Sequence, residues 1–248
     1  MPNIHTNISF GLVNIPVNIN PLIRNNDIAF NQLHSKCLSR INYIKYCSHC
    51  KKEVMERDIV KGYEFEKDNY VVFDKKELDI LKVRNDKEIE IVSFVPIKDI
   101  DPFYFEKSYV LSYTGKGKAY NLFCEALKKS KLVAIAKTVI GSKFYYVCLK
   151  FISNVIIMTT LYFEEEVIIP EVNVKNNFSD EELDLAIKLI HNLEGRFEPK
   201  KYKDEYQNNL RKAIDDKLSG KKIKKSNKKI NNKSINDLMK ALEKSLNE

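Results

Sequence analysis

Up to about residue 170 the chain alternates between apolar and polar positions in the manner of β-strands. From Ile8 to Ile19 the alternation is interrupted by Gly11 and Pro16, which predicts a strand carrying a bulge or lying at an edge. Arg40 to Tyr46 predicts a strand leading into Cys47. Ile59 to Phe65 and Tyr70 to Phe73 flank Lys67-Asp-Asn69, the pattern of a hairpin. Asp74 with Glu77 three residues on forms a capping box, so a short helix is expected to run to about Val83. Glu88 to Val95 alternates as a half-buried strand. After a connection from Pro96 to Pro102 comes a strand from Tyr109 to Tyr113. Ala119, Leu122, Phe123, Ala126 and Leu127 then recur at helical spacing, predicting a helix with that face on a core. Three strands follow closely, Leu132 to Ile140, Lys143 to Phe151 and Val155 to Phe163, the first two joined by Gly141-Ser142. Many short strands at regular spacing predict a barrel.

Beyond that the period changes from two to 3.6. Ser179 caps a helix with Glu182 reaching back, Leu183, Ala186, Ile187 and Ile190 form its apolar stripe, and Gly195 ends it. Pro199 opens a second helix reaching Leu218, with Gly220 as its stop. Lys221 to Lys233 is low-complexity Lys/Asn and is expected to be disordered when free. Ser234 and Asp237 open a last helix with Ile235, Leu238, Met239, Leu242 and Leu246 on one face. A helix of about 13 residues is marginal alone in water, so this one is expected to dock on a partner. The organisation expected is therefore α+β: a barrel core over 1–170 with a bridging region at about 31–65, a helical arm over 171–219, a linker over 220–233 and an amphipathic helix over 234–248.

Charge sharpens this picture. The chain has 248 residues and a formal net charge of +8. From Lys217 onward ten Lys face only Asp237, Glu243 and Glu248, a net of +7, which leaves about +1 for everything before. A polyanionic partner fits such a chain, provided the body segregates its charges. No segment resembles a signal peptide or a membrane span of ~18 apolar residues, so a cytoplasmic, nucleoid-associated protein is expected. Five Cys in a reducing compartment are thiols or metal ligands.

The search for chemistry finds no phosphate loop and no nucleophile elbow. Gly115-Lys-Gly117-Lys118 has the wrong spacing for the former. Glu164 to Glu166, read as strand, point to alternate faces and do not converge on an ion. No enzyme is expected; a nuclease using Glu164 and Glu166 is the enzymatic rival. His34-x2-Cys37 followed by Cys47-x2-Cys50 has the ligand types of a structural zinc ribbon, and these four are candidate ligands, with His49 a competitor. Cys124 and Cys148 fall at core positions. Basic and aromatic residues interleave around the two knuckles. Lys36, Arg40, Lys45, Lys51, Lys52 and Arg57, together with Lys137, Lys143 and Lys150 on the late strands, suit phosphate contact, which positions without reading sequence. Lys221, Lys222, Lys224, Lys225, Lys228 and Lys229 would add to it from the tail. Nothing resembles a recognition helix. A monomeric zinc-ribbon nucleic-acid adaptor is the rival from another class.

Several segments in one order carry a family resemblance: Ile8-Ser-Phe-Gly-Leu-Val-Asn-Ile-Pro-Val17, Phe30-Asn-Gln-Leu-His34, Arg40-Ile-Asn-Tyr43, Asp58-Ile-Val-Lys-Gly-Tyr-Glu64, Ile89-Glu-Ile-Val-Ser-Phe-Val95, Ile100-Asp-Pro-Phe-Tyr-Phe105, Leu185 to Leu193 and Tyr202-Lys-Asp-Glu-Tyr206. They resemble the bacterial Ku family over roughly residues 7 to 218. The residues before Ile8 lack the aromatic and basic residues of that family's start, and the tail is short and Lys/Asn-rich. The resemblance implies a β-barrel with long bridging strands, two subunits closing a ring around double-stranded DNA ends, and non-homologous end joining with recruitment of an ATP-dependent DNA ligase. It also implies a bridge akin to an atypical zinc ribbon. A single chain of this length hardly encircles a duplex, whereas a C2 pair supplies the same arm twice. The final helix, through Leu238, Met239, Leu242 and Leu246, would then dock on the ligase.

Overall fold

The computed structural model describes residues 4–81, 88–113, 117–172 and 178–222. The chain opens with strands β1 (Ile4–Phe10) and β2 (Val13–Pro21), paired antiparallel from Ile4↔Ile19 to Phe10↔Val13. The interruption expected within one strand is instead a hairpin turn, with Gly11 at φ 55°, a backbone region that costs glycine nothing. Pro16 is inside β2 but precedes the stretch Val17 to Pro21 that pairs with a second neighbour, so on that side no strand asks for its missing N–H.

Between β2 and the next barrel strand lie two-stranded ribbons: β3 (Tyr46–Cys47) with β4 (Lys52–Glu53), and β5 (Lys61–Glu66) with β6 (Asn69–Phe73). The strand expected over Arg40 to Tyr46 is reduced to an isolated Leu33↔Arg40 bridge and the two residues of β3. The β5–β6 turn falls where the sequence placed it, with Asp68 at φ 62°. Helix α1 (Lys75–Leu81) is opened by the predicted capping box, in which the Asp74 N–H donates to Glu77 Oε2 and the Glu77 N–H to Asp74 Oδ1, each at 2.8 Å. The continuation to Val83 lies outside the described residues.

Strand β7 (Glu88–Pro96) returns to the barrel, followed by β8 (Phe105–Tyr113), helix α2 (Lys118–Ser130), β9 (Leu132–Ile140), β10 (Lys143–Ile152) and β11 (Val155–Leu161). Seven strands close in the order β1-β2-β8-β11-β10-β9-β7, the seam being a parallel pairing of Asn7, Ile8 and Ser9 with Glu88, Ile89 and Glu90. Inward-facing Ile8, Ile15, Ile89, Leu111, Val147, Leu149, Ile156 and Met158 are fully buried, each contributing about 1.5–3 kcal/mol as apolar area leaves water. The core face of α2 is Tyr120, Phe123, Cys124 and Leu127, rotated from the one expected: Ala119 and Ala126 are exposed and Leu122 points to solvent. Its Tyr120 hydroxyl enters the barrel wall, donating to the Leu111 carbonyl at 2.8 Å and accepting the Ile156 N–H at 3.3 Å. Leu111 and Ile156 are themselves register partners of β8 and β11.

The chain divides into two compact units, one comprising Met1–Asn26 and Gln32–Phe178, the other Asp27–Asn31 with the chain from Ser179 onward. In the second, α3 (Asp180–Asn192) ends before Gly195, with its apolar Leu183, Ile187 and Ile190 exposed. The Glu182 side chain lies outside those described. Pro199 does not open the last described helix. It starts a single 3-10 turn, Pro199–Lys201, and α4 (Glu205–Leu218) begins later, capped by Asp204, whose carboxylate accepts the Gln207 N–H at 2.9 Å. Gln207 also ties the short Asp27–Asn31 segment to α4, its Oε1 accepting the Ile28 N–H at 3.2 Å. Gly220, at φ 74°, ends α4 as expected. The tail lysines Lys224, Lys225, Lys228 and Lys229, the separate final helix expected over 234–248, and its apolar Leu238, Met239, Leu242 and Leu246 lie outside the described residues. Among the described residues no helix is long and apolar enough to cross a membrane.

Candidate nucleic-acid interface

From Gln32 to Leu81 not one residue is buried. Yet this arm carries Leu38, Tyr43, Ile44, Met55, Tyr63 and Phe65, all more than half exposed. Hydrogen bonding rather than a core shapes it. One loop is closed by the His34 N–H on Ser39 O at 2.9 Å and the Ile41 N–H on Gln32 O at 3.0 Å, with the Tyr43 hydroxyl donating to the Gln32 side chain. A second is closed by the Val54 N–H on Lys45 O at 2.8 Å around the β3–β4 pair.

The candidate phosphate contacts divide by their partners. Lys36 and Arg40 stand on the first loop and Lys51 and Lys52 on the second; all four are exposed, and among the described residues none makes an ion pair. Lys45 is paired with Glu56, and Arg57 lies 3.9 Å from Asp58. On the barrel, Lys137 on β9 meets Glu90 of β7 at 3.0 Å, as their register dictates. Lys143 begins β10 with its ammonium 3.7 Å from Glu166 and 5.1 Å from the centre of the Tyr145 ring. Lys150, on the same strand, has no ion pair among the described residues and alternates outward with respect to the buried Val147 and Leu149. Lys221 and Lys222 follow α4, exposed. The sequence reading missed the acidic partners Glu56, Glu90 and Glu166. Glu56 lies 11 residues from Lys45, Glu90 is reached only through strand register, and Glu166 sits on the turn after β11, so no local pattern signals them.

Glu164 to Glu166 form a 3-10 turn rather than strand, and the Glu166 carboxylate turns back to accept the Phe163 N–H at 2.9 Å. The alternate-face argument therefore does not apply to them, and Glu166 already serves as an acceptor for backbone and Lys143.

The cysteines likewise separate. His34 Nδ1 is 3.1 Å from Cys37 Sγ, and the Cys50 N–H donates to Cys47 Sγ at 3.4 Å. His49 Nδ1 lies 3.9 Å from Cys50 Sγ. A zinc ribbon requires four donors around one point at ~2.0–2.3 Å, but among the described residues no three His, Cys, Asp or Glu side chains converge in that way. The two knuckles are present as pairs and do not fit a shared ion. Hydrogen bonds from Ser39, side chain first and then backbone, bring the Cys37 thiol down to about 7. The Cys50 backbone N–H, followed by its thiol, lowers Cys47, and the same contact to the Cys47 sulfur raises Cys50. Burial pushes Cys148 up to about 11 and raises Cys124, as befits thiols that pack rather than react.

The sequence of this chain has counterparts among known proteins. The Ku family profile, described as the Ku70/Ku80 beta-barrel domain, matches residues 9–185. Three similar bacterial proteins are each named non-homologous end joining protein Ku. That of Desulfitobacterium hafniense is 39% identical over 242 residues, covering 96% of this chain and 85% of its own. That of Lachnoclostridium phytofermentans is 39% identical over 241 residues, covering 96% and 93%. The Bacillus subtilis protein is 38% identical over 246 residues, covering 96% and 79%.

Proposed function

This chain belongs to the Ku family, and from that premise we propose that it holds double-stranded DNA ends as a homodimeric ring in non-homologous end joining, binding without catalysing. The observation that carries the reading is the arm. None of its apolar side chains over Gln32 to Leu81 is buried and most are exposed, and exposed apolar surface on that scale marks a partner. A second copy supplies a matching surface by symmetry, because a C2 interface is self-complementary. A stable interface takes about 800 Å² per partner, which an extended arm provides more readily than a compact domain does.

Within that ring Lys36, Arg40, Lys51 and Lys52 are the foremost phosphate contacts, having no carboxylate partner among the described residues. Lys45, Arg57, Lys137 and Lys143 would have to exchange Glu56, Asp58, Glu90 and Glu166 for phosphate. Such contacts are indifferent to base sequence, as a protein that meets breaks at random must be. The Lys tail adds affinity from outside the ring, and the last amphipathic segment recruits an ATP-dependent DNA ligase. The protein would act in the cytoplasm, at the nucleoid.

Binding to linear duplex is compared with binding to covalently closed circles of the same sequence, alongside molar mass by light scattering. A dimer that prefers linear DNA is expected; a monomer, or equal affinity for circles, overturns the reading.

A further inference from the structure

We propose that Cys47 and Cys50 form a reversible dithiol–disulfide site, closed by a hydroperoxide and reopened by small thiols. The inference goes beyond DNA-end binding and stands whether or not the chain encircles DNA. It starts from the mismatch with zinc: among the described residues no three His, Cys, Asp or Glu side chains gather as a metal site, and beside the second knuckle His49 Nδ1 stays 3.9 Å from Cys50 Sγ. What remains at the second knuckle is two thiols across the four-residue connection of β3 and β4. A turn brings positions i and i+3 within ~7 Å between Cα atoms, and a disulfide needs ~4.4–6.8 Å. The Cys50 N–H on Cys47 Sγ at 3.4 Å folds residue 50 back onto the sulfur it would join. Cys50 is exposed and Cys47 partly so, which admits an oxidant, whereas Cys124 and Cys148 are buried.

The chemistry balances with one hydrogen peroxide. Cys47 Sγ, its developing charge supported by the Cys50 N–H, attacks a peroxide oxygen. The O–O bond breaks, one oxygen leaves as water, and the other remains on Cys47 as a sulfenic acid. Cys50 Sγ then attacks the Cys47 sulfur, the S–O bond breaks and the second water leaves. The two thiols lose two electrons and two protons, and the peroxide takes them all. Two external thiols reverse the bond by exchange, becoming a disulfide themselves. The loop so closed is followed directly by Lys51, at φ 50°, and Lys52. The bond therefore constrains the backbone next to two cations that make no ion pair among the described residues.

The full-length protein is treated with a modest excess of hydrogen peroxide and its thiols are titrated after denaturation. The count is expected to fall by two from the five of the chain, with peptide mapping placing the link between Cys47 and Cys50 and dithiothreitol restoring both. Cys37→Ser should behave as the wild type, while Cys47→Ser and Cys50→Ser should form no internal link. None of the three sites is buried, and an unchanged far-UV spectrum checks that each variant folds. Five thiols surviving treatment would overturn the proposal, as would a link mapping to Cys37. Stoichiometric zinc in the purified protein, with both thiols unreactive until a chelator removes it, would overturn it equally.

Discussion

Replacing Tyr120 by Phe removes one oxygen and nothing else, yet that oxygen stands between two strands. It donates to the Leu111 carbonyl at 2.8 Å and accepts the Ile156 N–H at 3.3 Å. Both partner residues are fully buried, so water has no easy route to either group once the hydroxyl is gone. A buried backbone group left unsatisfied costs about 1–3 kcal/mol. Two such groups, partly relieved by the strands closing on each other, give an expected loss of about 3 kcal/mol. At ~2–4 °C per kcal/mol for a chain of this size, Tm falls by ~6–12 °C. The ring itself stays, keeping its 5.5 Å contact with Tyr113, so packing loss does not confuse the result. Urea unfolding followed by circular dichroism measures the energy, and hydrogen exchange at the Ile156 amide locates it. A loss below about 0.5 kcal/mol, with that amide as protected as before, would refute the bridging role.

Three further outcomes are expected. Substituting Tyr63 and Phe65, both exposed on β5, by Lys should turn a dimer into a monomer by light scattering, since each buried aromatic of this kind contributes about 1.5–3 kcal/mol; a persistent dimer places the interface elsewhere. Replacing Lys36, Arg40, Lys51 and Lys52 together by Ala should weaken DNA binding and flatten the slope of log K against log salt by ~0.9 per phosphate lost, whereas Lys137→Ala, whose ammonium is already held by Glu90 at 3.0 Å, should change it far less. Cys37 has its thiol lowered to about 7, so its thiolate, and with it the alkylation rate by iodoacetamide, should rise as pH climbs through about 7 and level off before an ordinary thiol does. Ser39→Ala should move that midpoint upward, and an unmoved midpoint assigns the effect elsewhere.

The barrel was largely legible in the sequence because strands packed on one side must alternate, and β9, β10 and β11 largely do so, the buried pair Val133-Ala134 and the buried run Val147-Cys148-Leu149 being exceptions. The phase of α2 was not, because Tyr120 and Cys124 are buried while Leu122 is not: hydropathy alone ranks Leu above Tyr, and the site for a buried hydroxyl exists only once β8 and β11 are in place. The turn at Gly11 was hidden by Leu12, an apolar residue left fully in solvent at its tip. Arg40 to Tyr46 has the composition of a strand, but among the described residues only its two ends are paired, Arg40 with Leu33 and Tyr46 with Glu53. The candidate lysines were visible as charges and not as pairs, since Glu90 meets Lys137 only through the β7–β9 register. The cysteine spacing showed the two knuckles but not that each closes on itself.

The barrel's seams have a consequence for how the chain can vary. β2 joins β8, and β1 joins β7 through only three residue pairs, both across the whole arm. Local pieces form first, the opening hairpin and the later meander, and they meet only when that long excursion is spanned. Such distant pairings slow folding, but the entropy of closing a loop grows only logarithmically, by about 0.6 kcal/mol for each doubling of its length. The arm can therefore lengthen or shorten over evolution at little cost in stability while the barrel stays as it is.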